Sequence, residues 1–347
     1  MLAFVIRRLA WAVMLAFLIT FITFVVFFMI PGNKVGGLGQ HGLIEPTPQV
    51  QFHLHGSLPE QYVGFMRRVV GHGDLGLSMV TGFPARTMVT RGFPVTLSLV
   101  IGGTLLFLVF AIPIGIFSAL HPRSLVDRAL MLFVLIGISC HPLWLGMVLS
   151  YVFGFQLHWT PVAGYCNFLH AGAPLQCAGP KYWAYHMILP WLTFALLFAA
   201  LYARMIRASV LEALDEDYVR TAKAKGVGGV QLMRSHVLRN ALLPVVAMLG
   251  MDVGLAFAGA LFIETVFAMP GMGTMLFRSL QAGDLPVIMG IVLVVSFAVV
   301  IMNLIADVVS CILDPRIRVG TRLRPRRLPE LTRARTPARQ PQVTETA

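Results

Sequence analysis

Charge is scarce in this sequence. Only 12% of its 347 residues are Asp, Glu, Lys or Arg, against about 25% in an ordinary soluble domain. With 57% hydrophobic residues and a mean hydropathy of +0.78, that shortage excludes a soluble domain and points to an integral membrane protein. Motifs are missing as well. No G-x-x-x-x-G-K-[ST] occurs, so the chain has no P-loop of its own, and "GMGT" at 271–274 reads as a short glycine turn. The lack of H-E-x-x-H and G-x-S-x-G argues against zinc-protease and hydrolase chemistry. His53 and His55, with His41 upstream, have no Cys or carboxylate company and read as solvated loop histidines, so no metal site is assigned. Cysteine is sparse, at four residues. Cys140 and Cys311 fall in or beside apolar runs and read as small hydrophobes.

What the sequence has is long apolar runs. A hydrocarbon core about 30 Å thick takes about 20 helical residues. Six runs qualify: 9–30, 95–120, 129–153, 186–205, 241–269 and 287–313. The first follows Arg7 and Arg8 but exceeds a signal-peptide core in length and has no small-x-small site after it, so it reads as a retained helix. Pro113 and Pro142 lie within runs, where neighbouring helices can satisfy the freed carbonyls.

The formal charge of +12 raises the question of nucleic acid. The cations lie in blocks between apolar runs, and no polar domain is large enough to present a basic face. With the N-terminus inside, 20 Lys and Arg fall on inner segments and 7 on outer ones. That asymmetry makes the cations a topology signal, puts both termini in the cytoplasm, and removes nucleic acid as a partner. Residues 1–30 are then the N-terminus and first span, and 31–94 an outer domain rich in Gly, Pro and His with short helices. Residues 95–313 form a five-span core with a cytoplasmic loop at 206–240. The Arg- and Pro-rich tail, 314–347, has no apolar face and reads as disordered. The expected fold class is an all-α integral membrane protein of six transmembrane helices.

Ionisable residues inside spans are functional candidates, because burying them is costly. Asp252, Glu264 and Asp307 qualify, as pathway groups or as structural anchors. Asp252 and Glu264 are about 18 Å apart along a helix and cannot act as a close pair. An aspartyl pair of Asp252 with Asp307 would suit an intramembrane hydrolase, but no Gly-x-Gly-Asp element accompanies them.

The loop between the fourth and fifth spans contains "DYVRTAKAKG", 217–226. Strong helix formers run from Met205 to Lys225, Asp215, Glu216 and Asp217 interrupt them, and Gly226 stands where a helix ends. The pattern predicts a helix leaving the membrane, a bend, and a second helix of about two turns. Tyr218, Ala222 and Lys225 follow at i, i+4 and i+7, with the small Ala222 allowing close approach by another protein. Spacing alone leaves a docking helix and a basic loop at the lipid headgroups equally open.

Thr221, Ala222 and Gly226, followed by "LRNALLP" ending at Pro244, resemble the EAA loop of ABC-importer permeases. "GDLGLS" (73–78), "FPVTLSL" (93–99), "HWTPVAGY" (158–165), "ETVFAMPGMG" (264–273) and "LDPRIR" (313–318) resemble, in order, the signatures of its dipeptide, oligopeptide and nickel branch. Within that branch the chain is most similar to the first permease of the pair. Arg220 and Thr221 stand where the generic loop has Glu and Ala, so the generic Glu contact is not carried over. "PGNK" at 31–34, the loop "GYCNFLHAGAPLQCAGPKYW" and the Arg-rich tail also depart from the family pattern.

The resemblance implies a type I ABC-importer permease, not an enzyme. Its partners would be a second permease, two ATP-binding subunits, an extracytoplasmic substrate-binding protein and the lipid bilayer. It implies no cofactor on this chain, with ATP and Mg on the ATPase subunits. The coupling helix would be Asp217, Tyr218, Arg220, Thr221, Ala222, Lys223, Lys225 and Gly226. Di- or oligopeptides are the expected cargo, with nickel complexes or glutathione as alternatives on the same scaffold. A passive channel is the rival from another class and would need no coupling segment. Cys166 and Cys177, in the enlarged outer loop, are a candidate disulfide worth about 2–3 kcal/mol.

Overall fold

The computed structural model describes residues 2–29, 58–168 and 177–313. The histidines at 41, 53 and 55 and the tail beyond residue 313 lie outside these. Among the described residues, most of each apolar run is helical: α1 (Leu2–Met29), α3 (Ala85–Leu120), α4 (Leu125–Ser139) with α5 (Pro142–Leu149), α6 (Pro180–Asp215), α10 (Leu243–Val266) and α12 (Leu285–Leu313). Shorter helices lie between them: α2 (Leu58–His72), α7 (Asp217–Ala224), α8 (Gly229–Leu232), α9 (Leu238–Ala241) and α11 (Met272–Ala282). Among the described residues, only the isolated bridges of Leu77 with Pro84 and Asn167 with Ala178 have strand character.

Three helices, Ala85–Leu120, Pro180–Asp215 and Leu285–Ala306, are each long and apolar enough to cross a membrane. A bent pair, Asp127–Gly137 with Pro142–Gln156, at 107°, meets the same length and apolarity together. Sequence reading treats 129–153 as one continuous span, and the structure breaks it. Pro142 has no N–H and pushes the residue before it out of helical geometry. His141 accordingly sits at φ −73°, ψ 139°, and its Nδ1 accepts from the Leu143 amide at 3.3 Å, starting a new helix.

Helices α3 and α6 have 36 residues each, about 54 Å at 1.5 Å per residue, so both extend well beyond a hydrocarbon core. The α3 helix starts ten residues before the apolar run at 95–120, and Pro94 lies inside it. These two helices make the most extensive contact among the described residues, and glycine allows it. A Cβ on Gly102 would run into the Trp191 indole, one on Gly103 into Phe194, and one on Gly115 into Ile206. Small residues that let backbones approach are what membrane helix packing relies on, since lipid supplies no hydrophobic drive between helices. Trp191 also donates its indole N–H to the Ser98 carbonyl at 2.9 Å. On the periphery, α2 is fastened to α1 by Tyr62, whose hydroxyl donates to the Phe17 carbonyl at 2.9 Å and lies 2.8 Å from Thr20 Oγ1. Burial pushes the Tyr62 phenol above its ordinary pKa, with the Thr20 bond opposing.

Candidate functional site

The polar segment after α6 folds as its composition implies. Helix α6 ends at Asp215, Glu216 turns extended (φ −69°, ψ 145°), and α7 begins at Asp217. Asp217 in the first turn and Lys223 in the last both complement the helix dipole. Gly226, at φ +78°, reverses the chain after the helix, with its amide donating to the Lys223 carbonyl at 3.0 Å. A left-handed residue here is most cheaply a glycine.

The two faces of α7 differ. Val219 and Ala222 are buried where the helix packs on α6, α8 and the π-helical turn Met233–Val237. Asp217, Arg220, Thr221, Lys223 and Lys225 are exposed, and Tyr218 sits at the border, 37% exposed. The small size of Ala222 therefore seats the helix on its own chain. Tyr218, Thr221 and Lys225, at i, i+3 and i+7, form the accessible side. Arg220 reaches only Asp217, at 3.9 Å, with both side chains in solvent.

Beneath this segment lies a charged clamp that sequence reading missed. Arg207 on α6 donates from Nε and Nη2 to the two Asp127 carboxylate oxygens at 3.0 and 2.9 Å. Its Nε also lies 3.0 Å from Ser118 Oγ on α3, and Ser118 donates to Asp127. The Arg123 amide adds a bond to Asp127 at 2.9 Å, and Ser124 caps α4 by accepting from the Asp127 amide at 3.0 Å. Three helices thus meet on one bidentate pair. Its signal in the sequence was faint: an Asp three residues after a Ser at a helix start.

The intramembrane acids separate by role. Asp252 on α10 accepts from the Tyr202 hydroxyl of α6 at 2.7 Å. Asp307 lies on α12, and its side chain falls outside the described residues. Glu264 is fully buried at the end of α10 and accepts from the Thr96 hydroxyl at 2.5 Å and the Thr274 amide at 2.9 Å. Thr96 Oγ1 in turn accepts from the Met272 amide at 2.8 Å. A carboxylate at the start of α11 is where a helix N-terminus favours an anion. Gly271 is required there, since a Cβ would overlap the Glu264 carboxylate.

Other sequence signatures are held by long-range bonds of the same kind. Ser78 of "GDLGLS" donates to Asp284, just before α12, and the Met79 amide donates to the same carboxylate at 3.1 Å. Gly164 of "HWTPVAGY" donates its amide to the Phe267 carbonyl in "ETVFAMPGMG" at 2.8 Å. Segments as far as 206 residues apart in the chain are therefore tied together. Asp284 carries no sequence signal beyond being an acid beside an apolar run.

Cys166 and Cys177 are joined by a disulfide with Cα atoms 5.0 Å apart. His186 Nδ1 lies 3.4 Å from the Cys166 sulfur and 2.9 Å from the Tyr182 carbonyl. The three side chains form a group of metal-ligand type, but bonded sulfurs lack the thiolate charge that metal ligation needs.

A helical membrane scaffold with a short polar helix set between two of its long helices is the architecture of a transport permease. Residues 111–319 match the binding-protein-dependent transport system inner membrane component, residues 1–100 match the N-terminal component of such systems, and the chain belongs to this family of ABC-importer permeases. It is 36% identical to the "Probable D,D-dipeptide transport system permease protein DdpB" of Escherichia coli K12 over 336 residues, 91% of this chain and 98% of that protein. It is 34% identical to the dipeptide transport system permease protein DppB of the same strain, covering 92% and 99%. It is also 34% identical to the glutathione transport system permease protein GsiC of Escherichia coli O6:H1, again covering 92% and 99%. Among solved structures, the inward-facing MetNI methionine ABC transporter has the same fold, with a TM-score of 0.50 at 16% identity over 66% of this chain and 97% of that chain. The protein is an all-α, multi-pass inner-membrane transport subunit.

Proposed function

We propose that this chain is the first of two permease subunits in an ATP-driven importer of di- or oligopeptides. The observation that carries the coupling role is α7, held by Val219 and Ala222 and capped by Gly226, with Tyr218, Thr221, Lys223 and Lys225 on its accessible surface. The cargo follows from the relatives, whose names specify dipeptide, D,D-dipeptide and di/tripeptide transport. Glutathione is the second reading, favoured by a relative of equal identity and itself a small peptide.

In this reading six helical crossings, α1, α3, α4 with α5, α6, α10 and α12, place both termini and α7 in the cytoplasm. Residues 31–94 form the outer domain and 206–240 the coupling loop. A second permease completes the pathway, two further subunits bind ATP and Mg, and a binding protein delivers cargo from outside. ATP-driven closure of the ATPase pair displaces α7, and α6 transmits that displacement through the Asp127–Arg207 clamp to α3 and α4. The outer knot around Glu264 keeps α3, α10 and α11 moving together. Asp252 and Asp307 are the remaining pathway candidates.

The test is uptake of a labelled dipeptide by the assembled importer in proteoliposomes. Uptake that requires ATP, the binding protein and this subunit supports the reading. Uptake down a gradient without ATP would make the protein a passive channel and end the proposal.

A further inference from the structure

A groove of about 590 Å³ opens beside the segment that leads from α7 back into the membrane. Its polar end is formed by Arg234, Ser235 and Arg239, on the π-helical turn and α9. Its apolar wall is formed by Leu242 and Val246, at i and i+4 entering α10, and by Ile312 at the last turn of α12. Arg234 to Val246 is 12 residues, roughly 18 Å of helix. The lining therefore carries both cations over residues 234–239, with Leu238 between them, and is wholly apolar at Leu242, Val246 and Ile312. Arg234 and Arg239 are both exposed, and Ile312 is 62% exposed. Arg239 also engages another group, so Arg234 carries the larger share of the argument.

A protein partner would need to cover an apolar wall and neutralise the Arg234 guanidinium in the same narrow strip. An anionic phospholipid does both with one molecule: phosphate on the arginine fork, glycerol oxygens on Ser235, and acyl chains along Leu242, Val246 and Ile312. Basic pockets between membrane helices on the cytoplasmic side are suited to such headgroups, and planar guanidinium matches phosphate geometry better than an ammonium does. We propose that this groove is a binding site for an anionic phospholipid of the inner leaflet. Occupied, it would fasten the root of the coupling segment to the membrane next to the end of α12. The proposal rests on the cytoplasmic placement of α7 given above.

The test uses the assembled importer, delipidated in detergent and titrated with phosphatidylglycerol or with phosphatidylcholine of identical chains. Bound lipid is counted by native mass spectrometry. The wild type should retain phosphatidylglycerol preferentially, and Arg234→Gln with Arg239→Gln should reduce that preference about 5-fold per arginine, from about 1 kcal/mol for each basic residue near an anionic surface. Arg234→Lys with Arg239→Lys, which keeps the charge, should lose less, and Arg67→Gln with Arg68→Gln on the outer domain should lose nothing. A photoactivatable phosphatidylglycerol should crosslink within 234–246. Unchanged retention in the Gln variant, or crosslinks mapping elsewhere, overturns the proposal. So does full competition by glycerol 3-phosphate, which would make the groove a site for a free phosphate, or burial of the groove by a partner subunit, read as protection of Arg234→Cys from a soluble thiol reagent in lipid-free complex. Lipid retention is measured without transport, so a failure of peptide uptake leaves this result standing.

Discussion

The hydroxyl of Thr96 donates to the carboxylate of Glu264 across 168 residues of sequence while accepting the Met272 amide. One side chain thereby connects α3, the end of α10 and the start of α11. Thr96→Val removes a donor from a buried carboxylate and leaves a buried N–H without an acceptor. Each such loss costs about 1–3 kcal/mol. Thermal unfolding of the assembled importer should fall clearly for Thr96→Val and much less for Thr96→Ser, and α11 amides should exchange faster in the valine variant. Equal melting of the two variants would remove Thr96 from the knot.

The Asp127–Arg207 clamp predicts strong coupling. Asp127 is buried and Arg207 about three-quarters so, and removing one partner of a buried pair costs about 3–5 kcal/mol because the other charge is stranded. Asp127→Asn and Arg207→Gln should each destabilise the complex, while the double variant should cost less than the two added together. A double-mutant cycle on unfolding measures this, and additive losses would show that the pair is not energetically linked.

The two faces of α7 can be told apart by substitution. Reversing Lys223 and Lys225 to Glu alters only exposed side chains, at a cost of about 0.3–1 kcal/mol where Lys223 complements the α7 dipole. Transport and ATPase stimulation should drop at least about ten-fold, for a loss above 1.4 kcal/mol of coupling, with only a small drop in the melting of the permease pair. Ala222→Trp should also abolish transport, but through overpacking against its own chain, and should lower the melting temperature as well. Normal uptake by the charge-reversed protein would leave α7 without a coupling role.

How far the sequence was legible depended on the range of the interaction. Local chemistry read well: the acids at 215–217 mark the break between α6 and α7, and Gly226 sits at its positive φ. Apolar runs gave the long helices, because twenty consecutive oily residues have few other solutions. Pairings between distant side chains did not read. Arg207 looked like one inner cation among many until packing placed it against Asp127. Composition cannot say which side of a short helix meets its own chain, and Ala222, small enough for close approach by a partner, is buried within this one. The signatures at 93–99, 158–165 and 264–273 were visible one by one, but only the fold shows that the first two touch the third, and that 73–78 is held by Asp284.

The disulfide offers a last test. It spans eleven positions, from Cys166 to Cys177, and a loop of that size is stabilised by about 2–3 kcal/mol through restriction of the unfolded chain. Cys166 is buried, 1% exposed, and Cys177 is partly accessible. A small thiol reductant should therefore attack Cys177 and release the Cys166 thiolate beside the His186 imidazole, which lies within 3.4 Å. An imidazole N–H beside the departing sulfur can stabilise its negative charge and make it a better leaving group, so His186→Ala should slow reduction without changing the loop's covalent chemistry. Alkylation of the reaction quenched at its mixed-disulfide stage, followed by peptide mapping, should find the reductant on Cys177 and the alkyl group on Cys166. The reverse labelling would mean that the loop opens before reduction, exposing the sulfur that packing now covers.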